Sequence, residues 1–321
     1  MSKFTLYRFY SKKVVVFVSL LFMILLVLSS HIFVANGTLV PDVVVGNEVE
    51  LLNAVSAAPD KKSYIIGLSD DVVLKNSLEI PKNKIITLVL FGGASSFVCL
   101  IGSDGVDTII VKSGGELVLL DGIVVTHVKG NNGRGVCVER KGTLILFDCE
   151  ISGNTVNDVG GGVYNQGTFK MHSGKISGNT VIIDNVIYGC GGGVYNTGSF
   201  VMSNGVISNN TASIGGGVYN DVDGSFVMSG GEITYNTASI GGGVYYFSGS
   251  VKGTFTMTGG TIFSNTVTTG GDSNFSETCV DSAHFYLLYL LFIVIAVIVV
   301  MVLLVYRSKR LKQSNRPLGV I

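Results

Sequence analysis

Apolar and polar residues alternate in short stretches through the middle of the chain, and glycines separate the stretches. The hexapeptide GGGVYN begins at residues 160, 191 and 215, and it returns as GGGVYY at 241. Each copy is followed by Gly-[Ser/Thr]-Phe-x-Met and then by Ile-x-x-Asn-Thr. Alternation with a period of two predicts short β-strands, while the glycines would break a helix and allow tight turns. The pattern therefore predicts about three short strands in each repeat.

The same side chains recur in step from one repeat to the next, at starts 31, 24 and 26 residues apart. One coil of a parallel β-helix has about this length, and its residues stack on those of the next coil at about 4.8 Å. We expect phenylalanines to stack inside the tube and asparagines to form an amide ladder at a turn: Phe169, Phe200, Phe226 and Phe255; Asn179, Asn210, Asn236 and Asn265. In GGGVY only one of Val and Tyr can point inward. The small valine is favoured, which would leave the tyrosines as an exposed stacked row.

Weaker copies of the repeat extend toward the N-terminus, from about residue 108. The stretch GTLILFDCEISGNT (142–155), for example, keeps the alternation with less of the signature. Further upstream, NEVELLNAVSAAP (47–59) predicts a short amphipathic helix, with Asn47 and Glu50 placed to cap it. A helix there would cover the open sheet edge of the first coil. The alternative for this region is an unrelated small α/β domain.

The full repeat, GGGVYNxGxFxMxxGxIxxNT, resembles that of adhesin-like surface proteins with a right-handed β-helix of the pectin-lyase-like group. Its GGGVY and I-x-x-N-T segments are also similar to the GGA[ILV] and FxxN repeats of polymorphic outer-membrane-type proteins. The resemblance covers about residues 108–268. It implies an all-β fold, a right-handed single-stranded parallel β-helix (solenoid) with a short N-terminal capping helix. Those outer-membrane proteins usually end in a β-barrel, whereas this chain ends in one apolar segment, which favours a cell surface with a single membrane.

Apolar segments with basic flanks lie at both ends of the chain. Val14–Ser30 follows basic residues and precedes small ones, as in a secretory signal peptide or an uncleaved signal anchor. Phe285–Tyr306 has 22 uncharged residues, roughly 33 Å of helix, and RSKRLK follows it directly. We therefore expect a single-pass cell-membrane protein with an extracellular β-helix. The predicted organisation is a signal peptide or signal anchor (1–35), an N-terminal cap with the first strands (36–83), the β-helix (84–267), a stalk (268–284), a transmembrane helix (285–306) and a basic cytoplasmic tail (307–321).

Charge is distributed unevenly, although the formal net charge is zero. The two ends hold nine of the 22 basic residues, so the segment between them has 13 basic and all 22 acidic residues, a balance of −9. This excess argues against a nucleic acid and against an anionic lipid surface as the partner. Outside the cell the five cysteines allow a disulfide, whose pairing stays open. Three Asn-x-[Ser/Thr] triplets are candidate glycosylation sites: Asn36, Asn209 and Asn274.

Outward positions lack the residues that a polysaccharide lyase or hydrolase on this scaffold would need. In the row that precedes the recurrent isoleucine, Glu150 and Glu232 are three coils apart, and the row between Phe and Met holds no acid. An acid and base that work as a pair must lie close together. His127 and His172 are interpreted as isolated surface histidines. We therefore expect no enzyme, no catalytic or metal-binding residue and no cofactor.

Two interruptions of the repeat are candidate partner surfaces. TVIIDNVIYGC includes Ile183 and Tyr188, and YYFSGSVKG includes Tyr246 and Phe247. Each either presents apolar and aromatic side chains to a partner or folds back over the tube. The expected function is adhesin-like binding or surface display without catalysis, with a surface glycan or a protein as the ligand. The alternatives are a carbohydrate-active lyase or hydrolase on the same scaffold, and a purely structural envelope protein.

Overall fold

Stacked parallel strands make up nearly all of the structure. The computed structural model describes residues 39–92, 96–182, 189–246 and 253–268, and these residues form 28 β-strands and one α-helix. Strands that neighbour one another in the long sheets are parallel, as in the pairs β2–β5 and β14–β18 whose bounds follow below. The described chain is therefore a solenoid of parallel strands, an arrangement compatible with a parallel β-helix.

The helix and six strands precede the weaker repeats: β1 (Val43–Val45), α1 (Glu48–Ala57), β2 (Ser63–Leu68), β3 (Val72–Val73), β4 (Leu78–Ile80), β5 (Ile85–Leu90) and β6 (Val98–Gly102). The weaker repeats supply seven strands: β7 (Ile109–Val111), β8 (Glu116–Leu119), β9 (Ile123–His127), β10 (Val136–Val138), β11 (Thr143–Leu146), β12 (Glu150–Ser152) and β13 (Thr155–Val156). The clear repeats supply the remainder: β14 (Val163–Asn165), β15 (Thr168–Met171), β16 (Lys175–Ser177), β17 (Thr180–Val181), β18 (Val194–Asn196), β19 (Ser199–Met202), β20 (Val206–Ser208), β21 (Val218–Asn220), β22 (Ser225–Met228), β23 (Glu232–Thr234), β24 (Thr237–Ala238), β25 (Val244–Tyr246), β26 (Thr254–Met257), β27 (Thr261–Phe263) and β28 (Thr266–Val267).

A coil of the repeat contributes one strand to each of three long sheets. The first sheet has the order β4-β7-β10-β14-β18-β21-β25, the second has β1-β2-β5-β8-β11-β15-β19-β22-β26, and the third has β3-β6-β9-β12-β16-β20-β23-β27. Two short sheets pair β13 with β17 and β24 with β28. Because β1, β2 and β5 share a sheet with the repeat strands, the N-terminal region is continuous with the solenoid.

Alternate residues of the strands fill the interior. Phe169, Phe200 and Phe226 are fully buried, and so are the valines that precede the tyrosines in GGGVY. Phe200 pairs in register with both of the other two phenylalanines, one in the preceding coil and one in the next. Burial of one such side chain contributes about 1.5–3 kcal/mol, so a slip of register by one residue would expose a complete apolar ladder.

The glycine triplets allow neighbouring coils to approach backbone to backbone. Gly191 has φ 69°, in the left-handed region that favours glycine. A Cβ atom on Gly193 would lie 2.6 Å from the carbonyl oxygen of Gly217 in the next coil, closer than any side chain tolerates. The N–H of Gly193 donates to the carbonyl oxygen of Gly216 at 3.1 Å. The triplets are therefore a packing requirement of the corner.

Helix α1 begins where the sequence predicts a cap. The Asn47 side chain accepts from the backbone N–H of Glu50 at 3.1 Å, and the Glu50 carboxylate accepts from the N–H of Gly46 at 2.9 Å. The apolar face of the helix places Leu51 and Val55 in the same buried core as the strands. The helix thus covers apolar surface at the N-terminal end of the solenoid.

Several predicted segments lie outside the described residues: the signal segment (1–35), the transmembrane segment (285–306), the tail (307–321) and almost all of the stalk (268–284). Within the ranges that the structure describes, no helix combines the length and the apolar character needed to cross a membrane.

Candidate functional site

The tyrosines of the GGGVY motif form a row on the outer side of the first sheet. Tyr164, Tyr195, Tyr219 and Tyr245 pair in register, with ring centroids 5.6, 5.0 and 5.0 Å apart. The sequence predicts a stacked and exposed row; the stacking is present, but the prediction of exposure is wrong. The first three rings are half-buried and Tyr245 is 2% exposed, because Ile214, Cys190 and nearby apolar residues pack against the row.

Stacking leaves little of these rings for a ligand. The rings of Tyr195 and Tyr219 are almost parallel, with an interplanar angle of 3°, and they stack so that the face of one ring covers the face of the next. The Tyr195 hydroxyl donates to the Asp221 carboxylate at 2.6 Å. Burial, and then this hydrogen bond, raises the pKa of Tyr195, so the hydroxyl stays protonated at neutral pH. A sugar would need an open ring face for stacking, and this row mainly offers ring edges.

An arginine closes the N-terminal end of the tyrosine row. The Arg134 guanidinium lies 5.2 Å from the centre of the Tyr164 ring, donates to the carbonyl oxygen of Val159 at 2.7 Å, and bridges two carboxylates. Its nitrogens lie 2.6 Å from Asp158 and 3.4 Å from Asp107. Asp158 is the exposed member, whereas Arg134 and Asp107 are largely buried. We refer to Asp107, Arg134 and Asp158 as the acidic–arginine cluster.

The sequence prediction does not include the acidic–arginine cluster, because that prediction rests on rows of strand residues and the three cluster residues lie outside the strands. Asp107, Arg134 and Asp158 are 27 and 24 residues apart, close to one coil each, and this spacing is visible in the sequence. Chemically, the guanidinium is the positive partner of both carboxylates. The cluster could hold a cationic or hydroxyl group of a ligand at Asp158, but the guanidinium donors are already largely engaged.

The predicted amide ladder is present with Asn154 as an additional first member. Each side-chain N–H donates to the Oδ1 of the asparagine in the next coil, at 2.9–3.0 Å from Asn154 through to Asn265. A second ladder, absent from the sequence prediction, links Asn165, Asn196 and Asn220 at 2.7 and 2.6 Å. The recurrent asparagine that ends GGGVYN is the feature of the sequence that could have predicted this second ladder. Both ladders satisfy buried amides and leave few donors for a ligand.

The prediction that His127 is a surface residue is wrong. His127 is 5% exposed, with Nδ1 at 2.8 Å from Oδ1 of Asn154 and Nε2 at 2.9 Å from the Val106 carbonyl oxygen. It occupies the start of the asparagine ladder, which explains its burial. His172 is half-buried against Phe147, with the rings stacked at 4.7 Å. Burial, and then Lys170, lowers the pKa of His172.

Tyr246 and Asn209 are the predicted surface sites that lie in described residues. Tyr246 pairs in register with Asn220, the last asparagine of the second ladder, and thus takes the place of an asparagine in the next coil. The centre of its ring is 5.8 Å from that of Phe255. Asn209 is exposed at a turn with φ 57°. The other predicted sites lie outside the described residues: Ile183, Tyr188, Phe247, Asn36 and Asn274.

Two of the cysteines whose pairing the sequence leaves open, Cys137 and Cys149, are not joined by a disulfide in the structure. Both are free thiols, as is Cys99. Burial raises the pKa of Cys137 to about 11 and that of Cys149 to about 12. These thiols are therefore poor nucleophiles at neutral pH.

No family model, curated protein or solved structure matches this chain. The likeness to adhesin-like repeats therefore stays at the level of the repeat pattern.

Proposed function

We propose that this chain is a membrane-anchored cell-surface protein whose ectodomain is an adhesin-like binding module without catalysis. The proposed ectodomain is a right-handed single-stranded parallel β-helix with α1 as its N-terminal cap, and Phe285–Tyr306 is the proposed anchor. The ligand is a surface glycan or a protein, and not a nucleic acid, because the segment between the two ends carries a balance of −9.

One observation carries the proposal: like groups repeat in register across five coils on the outer side of the second sheet. The row consists of hydroxyl residues: Thr143, Thr168, Ser199, Ser225 and Thr254. We call it the hydroxyl row. Its side chains lie on the face opposite the buried phenylalanines and are half-buried to exposed.

A neighbouring row supplies mainly aliphatic groups beside the hydroxyls: Ile145, Lys170, Val201, Val227 and Thr256. Hydroxyls both donate and accept hydrogen bonds, and the adjacent methyl groups give apolar contact. A repeated set of such groups, spaced by about 4.8 Å, suits an extended neutral glycan that crosses several coils. This chemistry favours a glycan over a protein as the ligand.

The test uses the full chain in detergent micelles on an array of glycans and polysaccharides. The same polysaccharides are assayed in parallel for new reducing ends and for unsaturated products. The proposal predicts saturable binding without product. Absence of both binding and product would favour a purely structural envelope protein.

A polysaccharide lyase or hydrolase is the second candidate, and the acidic–arginine cluster is the observation in its favour. Carboxylates and an arginine on successive coils are what such an enzyme on this scaffold would need. Here, however, both carboxylates are paired with the single Arg134 guanidinium. If product forms and disappears in Arg134→Lys and Asp158→Asn, the enzyme replaces the binding module as the proposed function.

A further inference from the structure

An exposed tyrosine occupies a turn where its backbone is strained. Tyr235 has φ 55° and is 58% exposed. The same turn in other coils, one residue before the ladder asparagine, also has positive φ but holds smaller residues: Gly153, Gly178, Asn209 and Ser264. A bulky residue is rare in this conformation and such strain often marks a functional position. Among the described residues, the fold gives no reason for a tyrosine at this turn.

Packing does not explain this residue either. A Cβ atom on Gly178, at the equivalent turn, would meet no atom within 4 Å, so the position faces open space. The ring of Tyr235 lies 6.3 Å from that of Phe263, edge to face, and Phe263 is itself half-buried. We call Tyr235 and Phe263 the terminal aromatic pair. Unlike the stacked tyrosine row, this pair leaves aromatic surface open to the outside.

The terminal aromatic pair lies at the end of the solenoid that leads toward the proposed anchor. Tyr235 directly follows β23, Phe263 ends β27, and these are the last two strands of the third sheet. The last described coil, residues 253–268, has no charged residue, and Val267 in it is exposed. A surface of this composition can approach a lipid interface without the desolvation of charges.

Chain length keeps this end near the membrane. The 16 residues between Thr268 and Phe285 span at most roughly 55 Å even when fully extended. Tyrosine and other amphipathic rings favour the level of the lipid headgroups, where one side is apolar and the other is wet. A glycan or a second copy of the chain would not account for the position of the pair at the end of the solenoid that leads toward the proposed anchor.

We infer that the terminal aromatic pair docks into the headgroup interface of the membrane that holds Phe285–Tyr306, and thereby fixes the orientation of the solenoid on the cell surface. This inference rests on the proposed function, since it needs the anchor. The strained turn at Tyr235 is then explained, because it directs the ring outward at the membrane-proximal end.

The chain contains no tryptophan, so a single introduced tryptophan would report on its own surroundings without background from another. We would place one tryptophan in the full chain by Tyr235→Trp, and a second variant, Phe263→Trp, tests the same contact in case the first fails to fold. The control is Phe97→Trp, an exposed position directly before β6. β6 lies five strand spacings from β23, about 24 Å along the solenoid.

Each variant is reconstituted in phosphatidylcholine vesicles with and without brominated acyl chains, and tryptophan emission is recorded. The inference predicts that the probes at 235 and 263 shift to shorter wavelength and lose most of their emission to the bromines. The probe at 97 should be unaffected.

Flotation of the vesicles distinguishes the membrane anchor, which the proposed function requires, from the docking of the terminal aromatic pair. If the full chain does not float with the vesicles, the anchor and with it the proposed function fail. If it floats but the probes at 235 and 263 resemble the control, the inference alone is overturned. A shift that grows with protein concentration in detergent, without quenching by brominated lipid, would overturn the inference and assign the pair to contact with a second copy.

Discussion

The amide ladder makes one of its asparagines a sensitive point of the fold. In Asn210→Ala, the side chain loses two accepted bonds, from the N–H and the Nδ2 of Asn179 at 3.0 Å each. It also loses two donated bonds, to the carbonyl oxygen of Ile176 at 3.0 Å and to Oδ1 of Asn236 at 2.9 Å. All of this occurs in the interior, where Asn210 and both neighbouring ladder residues are fully buried.

The cost follows from which groups keep another partner. The Nδ2 of Asn179 still donates to the Ile151 carbonyl oxygen, and Oδ1 of Asn236 still accepts from the backbone N–H of position 210. The N–H of Asn179 loses its bond to the side chain, whereas the carbonyl oxygen of Ile176 keeps its place in the parallel ladder between β16 and β20. A buried polar group without a partner costs about 1–3 kcal/mol, so we expect a loss of about 1–3 kcal/mol in the free energy of unfolding.

Urea unfolding of the full chain in detergent, followed by far-UV circular dichroism, measures this loss. The matched control is Asn209→Gly, the adjacent asparagine, which is exposed and whose turn already holds glycine in two other coils. We expect this control to change the free energy of unfolding by less than about 0.5 kcal/mol. Equal stability of the two variants would refute the reasoning, because the ladder would then contribute nothing beyond what water supplies.

Three further predictions concern packing and thiol chemistry. Phe226→Ala should cost about 3–5 kcal/mol in the same unfolding assay, because it opens a cavity between two stacked rings; a loss below about 1 kcal/mol would contradict the described core. Gly193→Ala should also destabilise the fold, by about 1–3 kcal/mol, since its Cβ would lie 2.6 Å from the carbonyl oxygen of Gly217; a melting temperature equal to the parent's would contradict the close approach. Cys137, whose pKa burial raises to about 11, should react slowly with iodoacetamide at pH 7 and faster as the pH approaches 11, because only the thiolate reacts; mass spectrometry of the alkylated peptide checks this, and a rate that is flat with pH would contradict the assigned burial.

The stacked parallel strands could be predicted from the sequence because the same residue types recur at equivalent positions in several successive repeats. A phenylalanine at one position is weak evidence, but Phe169, Phe200 and Phe226 in step leave few alternatives to a stacked ladder. The glycine triplets also predicted a tight corner, because three glycines in every copy allow a positive φ and a close approach of neighbouring backbones. Repetition therefore compensated for the weak propensity of strands of two to six residues.

The side-chain environments outside the repeat were harder to predict. The stretch around His127 lacks the signature and so predicts a surface position, yet the His127 ring contacts Asn154, the first member of the asparagine ladder. Strand alternation predicts an exposed tyrosine row, because it places these side chains on the outer side of the sheet. Alternation describes one strand at a time, and it does not show that the turn residues Ile214 and Cys190 pack over that face.

The acidic–arginine cluster shows a related limit. Asp107, Arg134 and Asp158 recur at coil spacing but lie in turns, where the register between coils is not fixed by strand alternation. Their contact depends on how the guanidinium crosses from one coil to the next, which no count of residues reveals.

Binding at the hydroxyl row is the central claim, and one titration tests it most directly. The full chain in detergent is titrated with the best polysaccharide from the array, alongside Ser199→Glu in the hydroxyl row and Val206→Glu on the third sheet of the same coil. A charge in the row should break contact with a neutral glycan, whereas a charge on the other sheet should leave it intact. We predict saturable binding that is lost in Ser199→Glu and retained in Val206→Glu. Equal binding by both variants would contradict the account, because the ligand would then not use the hydroxyl row.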